Sequence, residues 1–157
     1  MSRRTEIIDF LVSELKRINK TTDSRVGLLR SPYTYKSDVG ENVFRNFKYM
    51  NEINDFPAIT MSILDENREA IGADVHFGTV ELTLRGYVKS ENALDACDDL
   101  ADDMEYVIDG VNHTTTAASK EVVDCKVLAV ETDQGLFEPY GIAMMDVEIM
   151  YQQDENT

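Results

Sequence analysis

The pattern that most constrains this chain is a strict alternation of apolar and polar residues over residues 77–88. Val80, Leu82 and Leu84 fall on one side of an extended chain there, and Glu81 and Thr83 fall on the other. A period of two is typical of an antiparallel strand with one buried and one solvated face. The chain must therefore supply a second layer that covers one side of a sheet.

Two other segments have the helical spacing needed for that layer. Residues 5–19, with Thr5 as a candidate N-cap, and residues 90–110, which end at a glycine, carry apolar residues at intervals of three and four. Two amphipathic helices packed on one face of a mainly antiparallel sheet make a two-layer α+β sandwich. The predicted inner positions are Ile7, Ile8, Leu11, Val12, Leu15 and Ile18 in the first helix, and Ala93, Leu94, Cys97, Leu100, Ala101, Met104, Val107 and Ile108 in the second.

The sheet is predicted to have about five strands. Apolar runs and alternation place them at residues 26–29, 58–64, 77–88, 121–132 and 141–151, whereas the polar residues 65–75 suit a loop. A chain of 157 residues fits one domain. We expect that domain to span residues 1–151, with residues 152–157 as a flexible C-terminal tail.

Residues 31–56 are predicted to form a long extended loop that acts as a contact arm. This segment holds Pro32 and Gly40, which break regular structure, and six of the 13 aromatic residues of the chain. Long ordered loops are usually functional, and aromatic residues and arginine are enriched at protein interfaces. A small local core beneath the loop, or single-stranded nucleic-acid binding, would also use aromatic residues. The predicted interface residues are Arg45, Phe47, Lys48, Tyr49 and Phe56.

Charge is unevenly distributed along the chain, which has a formal net charge of −15. Residues 1–56 carry ten basic and eight acidic side chains, and residues 57–157 carry five basic and twenty-two acidic ones. The acidic excess argues against binding to a nucleic-acid backbone, which requires a basic patch. The asymmetry either serves solubility alone or lets the N-terminal segment of one subunit meet the acidic body of another.

No catalytic, cofactor-binding or metal-binding residue is predicted. Asp95, Asp99 and Asp102 share one helix face and could hold a divalent cation, but a solvated helix surface is the favoured interpretation. His76 and His113 each lack a neighbouring histidine or cysteine, so zinc binding is unsupported. The glycines match neither a phosphate-binding loop nor a dinucleotide-binding motif.

The two cysteines and the N-terminus favour a protein of a reducing compartment. Cys97 and Cys125 lie in predicted helix and strand, where isolated thiols usually act as small buried apolar groups. The first residues resemble neither a signal peptide nor a membrane span. We therefore expect synthesis and assembly in the cytoplasm, with no membrane partner.

Several stretches, taken in order, resemble the tail terminator and tail completion proteins of tailed bacteriophages. They are FRNFKYMNEINDFPA at 44–58, LRGYV at 84–88 followed by NALDA at 92–96, and PYG at 139–141 leading into a strand that ends VEIMY at 147–151. With the leading amphipathic helix, the similarity spans most of the chain. None of these stretches is chemically diagnostic by itself, so the resemblance rests on their order.

The resemblance implies a non-enzymatic α/β subunit of the virion, located at the head-proximal end of the tail and needing no cofactor. Such subunits close into a ring, commonly a hexamer, on the last ring of tail tube protein. The ring stops tube growth and meets the head–tail connector or neck protein, while double-stranded DNA passes through its lumen without specific binding. The alternatives are a neck or head-completion protein and, in a different class, a small ligand-binding regulatory α+β domain.

Overall fold

The computed structural model describes residues 3–20, 22–23, 33–70, 76–111 and 122–153. Two long helices and long strands account for most of these residues. In chain order the elements are helix α1 (Arg3–Leu15), strands β1 (Thr22–Asp23), β2 (Tyr33–Thr34) and β3 (Val43–Phe44), a 3-10 turn (Met50–Glu52), strands β4 (Ala58–Ala70) and β5 (His76–Lys89), helix α2 (Ala93–Val111), and strands β6 (Val122–Thr132) and β7 (Tyr140–Gln153).

Five strands form the main sheet in the order β3-β4-β5-β7-β6. The pairs β4–β5, β5–β7 and β7–β6 are antiparallel, and only the two-residue β3 runs parallel to β4. Strands β1 and β2 form a separate antiparallel pair. The predicted α+β architecture, with a mainly antiparallel five-stranded sheet and two helices, is confirmed.

Both helices contribute to one hydrophobic core on a single face of the sheet, called the inner face below. Val80, Leu82 and Leu84 of β5 are buried there, as the alternation predicts. The approach of α2 is close, since a Cβ atom built on Gly86 of β5 would lie 2.5 Å from Cδ2 of Leu100. A residue without a side chain at this strand position lets the helix pack directly on the sheet.

Several predicted boundaries are wrong. The predicted loop at residues 65–75 is strand as far as Ala70, because β4 pairs with β5 along its whole polar second half. Backbone pairing, rather than an apolar pattern, fixes this part of the hairpin. Strand β7 continues to Gln153, two residues into the predicted tail. The predicted strand at residues 26–29 lies outside the described residues, and the fifth strand of the sheet is β3.

Helix α1 begins and ends earlier than predicted. It starts at Arg3, so Thr5 lies inside it, and it ends at Leu15 rather than near residue 19. The carbonyl of Ile18 accepts hydrogen bonds from the backbone of Val39 and Gly40, at 2.7 and 3.0 Å. The chain therefore leaves the helix in order to pair with this later segment.

Most of the predicted core is confirmed. The inner positions of both helices are buried except Val12, which is partly buried, and Leu94, which is exposed in the first turn of α2. Cys97 and Cys125 are free and buried, as predicted. None of the described helices has both the length and the apolar character needed to cross a membrane.

Candidate interaction surface

The first part of the predicted arm, residues 33–40, is held against α2 by Asp103. The fully buried Asp103 carboxylate accepts a hydrogen bond from the Tyr33 hydroxyl at 2.8 Å. It also accepts from the backbone N–H groups of Lys36 at 3.1 Å and Ser37 at 2.8 Å. Burial raises the pKa of this carboxyl, and the same hydrogen bonds oppose the increase. The interpretation of the acidic surface of α2 as solvated therefore does not extend to Asp103, although its neighbour Asp102 is exposed.

Aromatic packing reinforces this attachment. The rings of Tyr33 and Tyr106 are stacked with centroids 4.2 Å apart, and Tyr35 meets both edge-on. The ammonium group of Lys36 lies 2.8 Å from a carboxylate oxygen of Asp102 at the surface. Residues 33–37 are therefore part of the folded body and do not project as an arm.

A second, smaller hydrophobic cluster lies under the later part of the segment. Ile53, Ala58 and Tyr87 form its buried centre, and partly buried side chains surround it. The Tyr87 hydroxyl donates a hydrogen bond to the backbone carbonyl of Lys48 at 2.7 Å. The alternative of a local core beneath the loop is therefore correct for this part of the segment. The surrounding side chains are Phe44, Met50, Phe56 and Ile142.

Two of the predicted interface residues lie together at the surface. The rings of Phe47 and Tyr49 meet edge-on at 4.7 Å, and these side chains are 40% and 65% exposed. The guanidinium group of Arg85, from the outer face of β5, lies 4.9 Å from the centre of the Phe47 ring. This aromatic pair therefore rests on the sheet at one side and faces solvent at the other.

The other three predicted residues point elsewhere. Arg45 pairs with Asp9 of α1 at 2.6 Å, and the ammonium group of Lys48 lies 4.0 Å from the centre of the Phe44 ring. The ring of Phe56 is 5.7 Å from that of Tyr140. Arg45, Phe47 and Tyr49 are exposed, whereas Lys48 and Phe56 are partly buried, so only part of the predicted interface lies open at the surface.

A sequence model of the family described as Bacteriophage Tail Tube Terminator Protein matches residues 1–157. The chain belongs to this family. It is also 28% identical over 161 residues to tail tube terminator protein p142 of Escherichia phage T5, covering 97% of this chain and 95% of that protein. The resemblance to phage tail terminators is confirmed, and the chain is a bacteriophage structural protein of the terminator family.

Exposed apolar side chains also occur outside the predicted contact arm. Leu136 and Phe137 stand in the turn between β6 and β7 and are 82% and 59% exposed. Others lie on the strands at the two sides of the sheet. Exposed apolar side chains that lie next to one another are typical of interaction surfaces. The exposed strand residues are Ile63 and Leu64 on β4, and Leu128 and Val130 on β6.

The sheet face opposite the helices is acidic in this terminator. Register with the outward-facing residues of β5 assigns seven carboxylate side chains and three basic ones to this outer face. A face with this balance repels polyanions. The acidic residues are Asp65, Glu69, Glu81, Asp124, Glu131, Asp146 and Glu148, and the basic ones are Arg85, Lys89 and Lys126.

The described surface gives little support to a small-ligand site. One groove at the far end of the sheet is lined by three polar or charged residues of β4 and by side chains of β5 and β7, rather than by the apolar walls typical of such sites. Among the described residues, no group of three or more His, Cys, Asp or Glu is placed to hold a metal ion. The residues that line the groove are Asn67, Arg68, Glu69, Phe77, Thr79 and Met150.

Proposed function

We propose that this chain closes into a hexameric ring on the last ring of tail tube protein and so stops polymerisation of the tube. The same ring offers its other end to the head–tail connector or neck protein. Membership of the terminator family along residues 1–157 is the observation that carries this proposal. The protein then acts at the head-proximal end of the virion tail, after assembly in the host cytoplasm.

Ring closure requires non-covalent binding between subunits and no covalent reaction. In a cyclic ring, one patch on each subunit must fit a different patch on the next subunit. The exposed apolar side chains on both sides of the sheet, and Phe47 and Tyr49 on the outer face, supply such patches. A non-enzymatic role accords with this surface, which offers contacts to other proteins rather than a reaction site.

We place the acidic outer face of the sheet at the lumen of the ring. Six copies with a net charge of −15 would carry −90 in total. A lumen wall rich in carboxylates repels the phosphate backbone, so double-stranded DNA passes without adhering. A structure of the assembled ring with a neutral or basic inner wall would refute this placement.

The decisive experiment mixes the purified chain with polymerising tail tube protein of the same virus. Tubes imaged by electron microscopy should stop at short lengths and carry an extra ring at one end. Tube protein alone, and tube protein with heat-denatured chain, are the controls. Tubes of unrestricted length without end rings would contradict the proposal, and binding to isolated connectors without any effect on tubes would assign the chain to the neck.

A further inference from the structure

We infer that neighbouring copies in the ring join edge to edge, with the free part of β4 from one copy pairing antiparallel to β6 of the next. This inference rests on the proposed ring and names the surfaces that close it. Among the residues that the structure describes, β3 pairs with Ile59 and Thr60 of β4, and residues 61–70 have no partner on that side, so they form an open edge of the described sheet. Strand β6, Val122–Thr132, is the opposite edge. Open edges offer unpaired backbone groups that a strand of another chain can bind.

Strand direction makes the two edges compatible under rotation. The four strands β4, β5, β7 and β6 alternate in direction, so β4 and β6 run in opposite senses. Rotation about the axis of a ring repeats every subunit in the same orientation. When the strands run along that axis, β4 of the next copy meets β6 as an antiparallel neighbour and continues the alternation. A sheet with an odd number of alternating strands would present a parallel junction instead.

The two edges carry matching apolar residues at the same height in the sheet. One cross-strand row joins Met61 through Leu84 and Met145 to Val130. The next inner row contains Ile63 at one end and Val127 at the other, beside Leu128. Ile63, Leu64, Leu128 and Val130 are all exposed in the single chain. Pairing copies at equal height covers these apolar side chains with one another.

Irregularities on the two edges also coincide. Pairing of β4 shifts between Ile63 and Asp65, and pairing of β6 shifts between Val127 and Ala129. Both of these shifts lie beside the row through Leu82 and Val147, whereas a second shift on β6, between Val122 and Asp124, has no counterpart in the pairing of β4 with β5. Bulges on an edge normally hinder pairing with other chains. A regular strand would leave both bulges unmatched, so we expect two bulges at the same height to favour a second copy of this chain over another strand.

Charge provides an independent match in an adjacent outer row. Asp65 is in register with Glu81, Glu81 with Glu148, and Glu148 with Lys126. The single chain therefore has three carboxylates followed by one ammonium group across the outer face. In the ring, Lys126 of one copy comes beside Asp65 of the next, and opposite charges across strands stabilise pairing.

Crosslinking tests the proximity directly. Residues opposed on antiparallel strands have Cα atoms about 4.5–5.5 Å apart, within the span of a disulfide. The double variant Asp65→Cys/Lys126→Cys, oxidised or treated with a short bismaleimide after assembly on tube ends, should give a ladder of oligomers on a denaturing gel. Each single-cysteine variant is the control and should give no species beyond a dimer. Capped tubes whose double variant gives no ladder would overturn the edge pairing and leave the proposed function intact.

A charge exchange provides the second test. Asp65→Lys and Lys126→Asp should each raise the concentration needed for capping by about tenfold, because each places like charges across the junction. Lys126→Asp also removes the ion pair between Lys126 and Glu148 within the chain, whose charged atoms lie 3.4 Å apart. The combined variant Asp65→Lys/Lys126→Asp should recover the part of the loss that arises at the junction, although not the part caused by losing the Lys126–Glu148 pair. Asp98→Lys, at an exposed position on α2, is the matched control for a simple change in net charge. Equal and additive losses in the combined variant would overturn the inference, whereas wild-type chain that never caps tubes would refute the proposed function itself.

Discussion

The hydroxyl of Tyr33 donates a hydrogen bond of 2.8 Å to Asp103, although 70 residues separate them in the chain. This contact fixes the beginning of the 33–56 segment on helix α2. The backbone of Lys36 and Ser37 bonds to the same carboxylate. The segment is therefore anchored at its start. The part of this segment that remains available to partners lies further along, around Phe47 and Tyr49.

The anchor at Asp103 predicts a specific loss of stability. Asp103→Asn replaces one acceptor oxygen by an amide nitrogen that cannot accept from a backbone N–H, so buried donors lose their partner. We expect the free energy of unfolding to fall by about 1–3 kcal/mol, measured by urea denaturation. Asp98→Asn, on the exposed side of the same helix, should change it by less than about 0.5 kcal/mol. Equal effects of the two variants would contradict the role of Asp103.

The pH dependence of stability should also report on Asp103. Burial raises the pKa of its carboxyl in the folded state, so the folded protein binds this proton more readily than the unfolded chain. This contribution to stability grows as pH falls through the raised pKa and is lost as pH rises through it. Wild type should therefore gain stability relative to Asp103→Asn between neutral and mildly acidic pH. A difference between the two proteins that stays constant over this range would contradict the prediction.

Both thiols should be unreactive in the native protein. Burial raises the pKa of Cys97 to about 11 and that of Cys125 to about 12, and the thiolate is the reactive form. Ellman's reagent near neutral pH should label neither thiol without denaturant and should label both in urea. Mass spectrometry of peptides identifies the labelled site. Labelling of either cysteine faster than the protein unfolds would show that the thiol is accessible.

Close packing of α2 on β7 predicts an energetic coupling between Gly141 and Cys97. A Cβ atom at Gly141 would lie 2.5 Å from Sγ of Cys97 and 3.0 Å from Cγ2 of Val88. Gly141→Ala should therefore reduce the free energy of unfolding by about 1–3 kcal/mol. Adding Cys97→Ala removes the closest atom, so the double variant should be more stable than the sum of the single changes predicts.

The matched control for this coupling is Gly86→Ala combined with Cys97→Ala. A Cβ atom at Gly86 meets Leu100 and Met104 rather than Cys97. Its effect should add to that of Cys97→Ala within about 0.5 kcal/mol. Additivity in the Gly141 pair as well would show that the helix can shift away from the strand without cost.

The periodicity of apolar residues predicted the two layers of this fold, because an element that is buried on one face has apolar residues at regular intervals. The two helices and β5 have this regular spacing. The second half of β4 does not, because residues 65–70 are held by pairing with β5 while most of their side chains remain exposed. Strand β3 is equally hidden from local analysis, since two residues pair in parallel with a strand that begins 14 positions later.

Two further features of the structure can be related to the sequence, although the hydrophobic pattern alone did not predict them. Asp103 lies three residues after Leu100 and four before Val107, which places it beside the buried stripe of α2. The run from residue 127 to residue 130 is wholly apolar, although a strand with one covered face can bury only every second residue. The first feature indicates a carboxylate that needs a hydrogen-bonding partner, and the second indicates a strand edge that another chain can cover.

Because Phe47 and Tyr49 are exposed, we predict that their substitution impairs assembly without impairing folding. Phe47 is 40% exposed and Tyr49 is 65% exposed, so Phe47→Ala/Tyr49→Ala should change the free energy of unfolding by less than about 1 kcal/mol. If the pair is an interface anchor, as we propose, capping of tubes should require about tenfold more protein, because buried aromatic side chains dominate interface energies. Thermal or urea unfolding and the tube-length assay measure the two effects on the same preparation.

Phe56→Ala is the matched control for the aromatic pair, because the Phe56 ring belongs to the smaller hydrophobic cluster and packs near Tyr140. Its truncation should lower the free energy of unfolding by about 1–3 kcal/mol, since a half-buried ring loses part of the value of a fully buried one. Any loss of capping in this variant should follow its loss of fold. If Phe47→Ala/Tyr49→Ala caps tubes as well as wild type does, the pair serves only local packing, and contact with partners must lie on the sheet edges and the turn at Leu136 and Phe137.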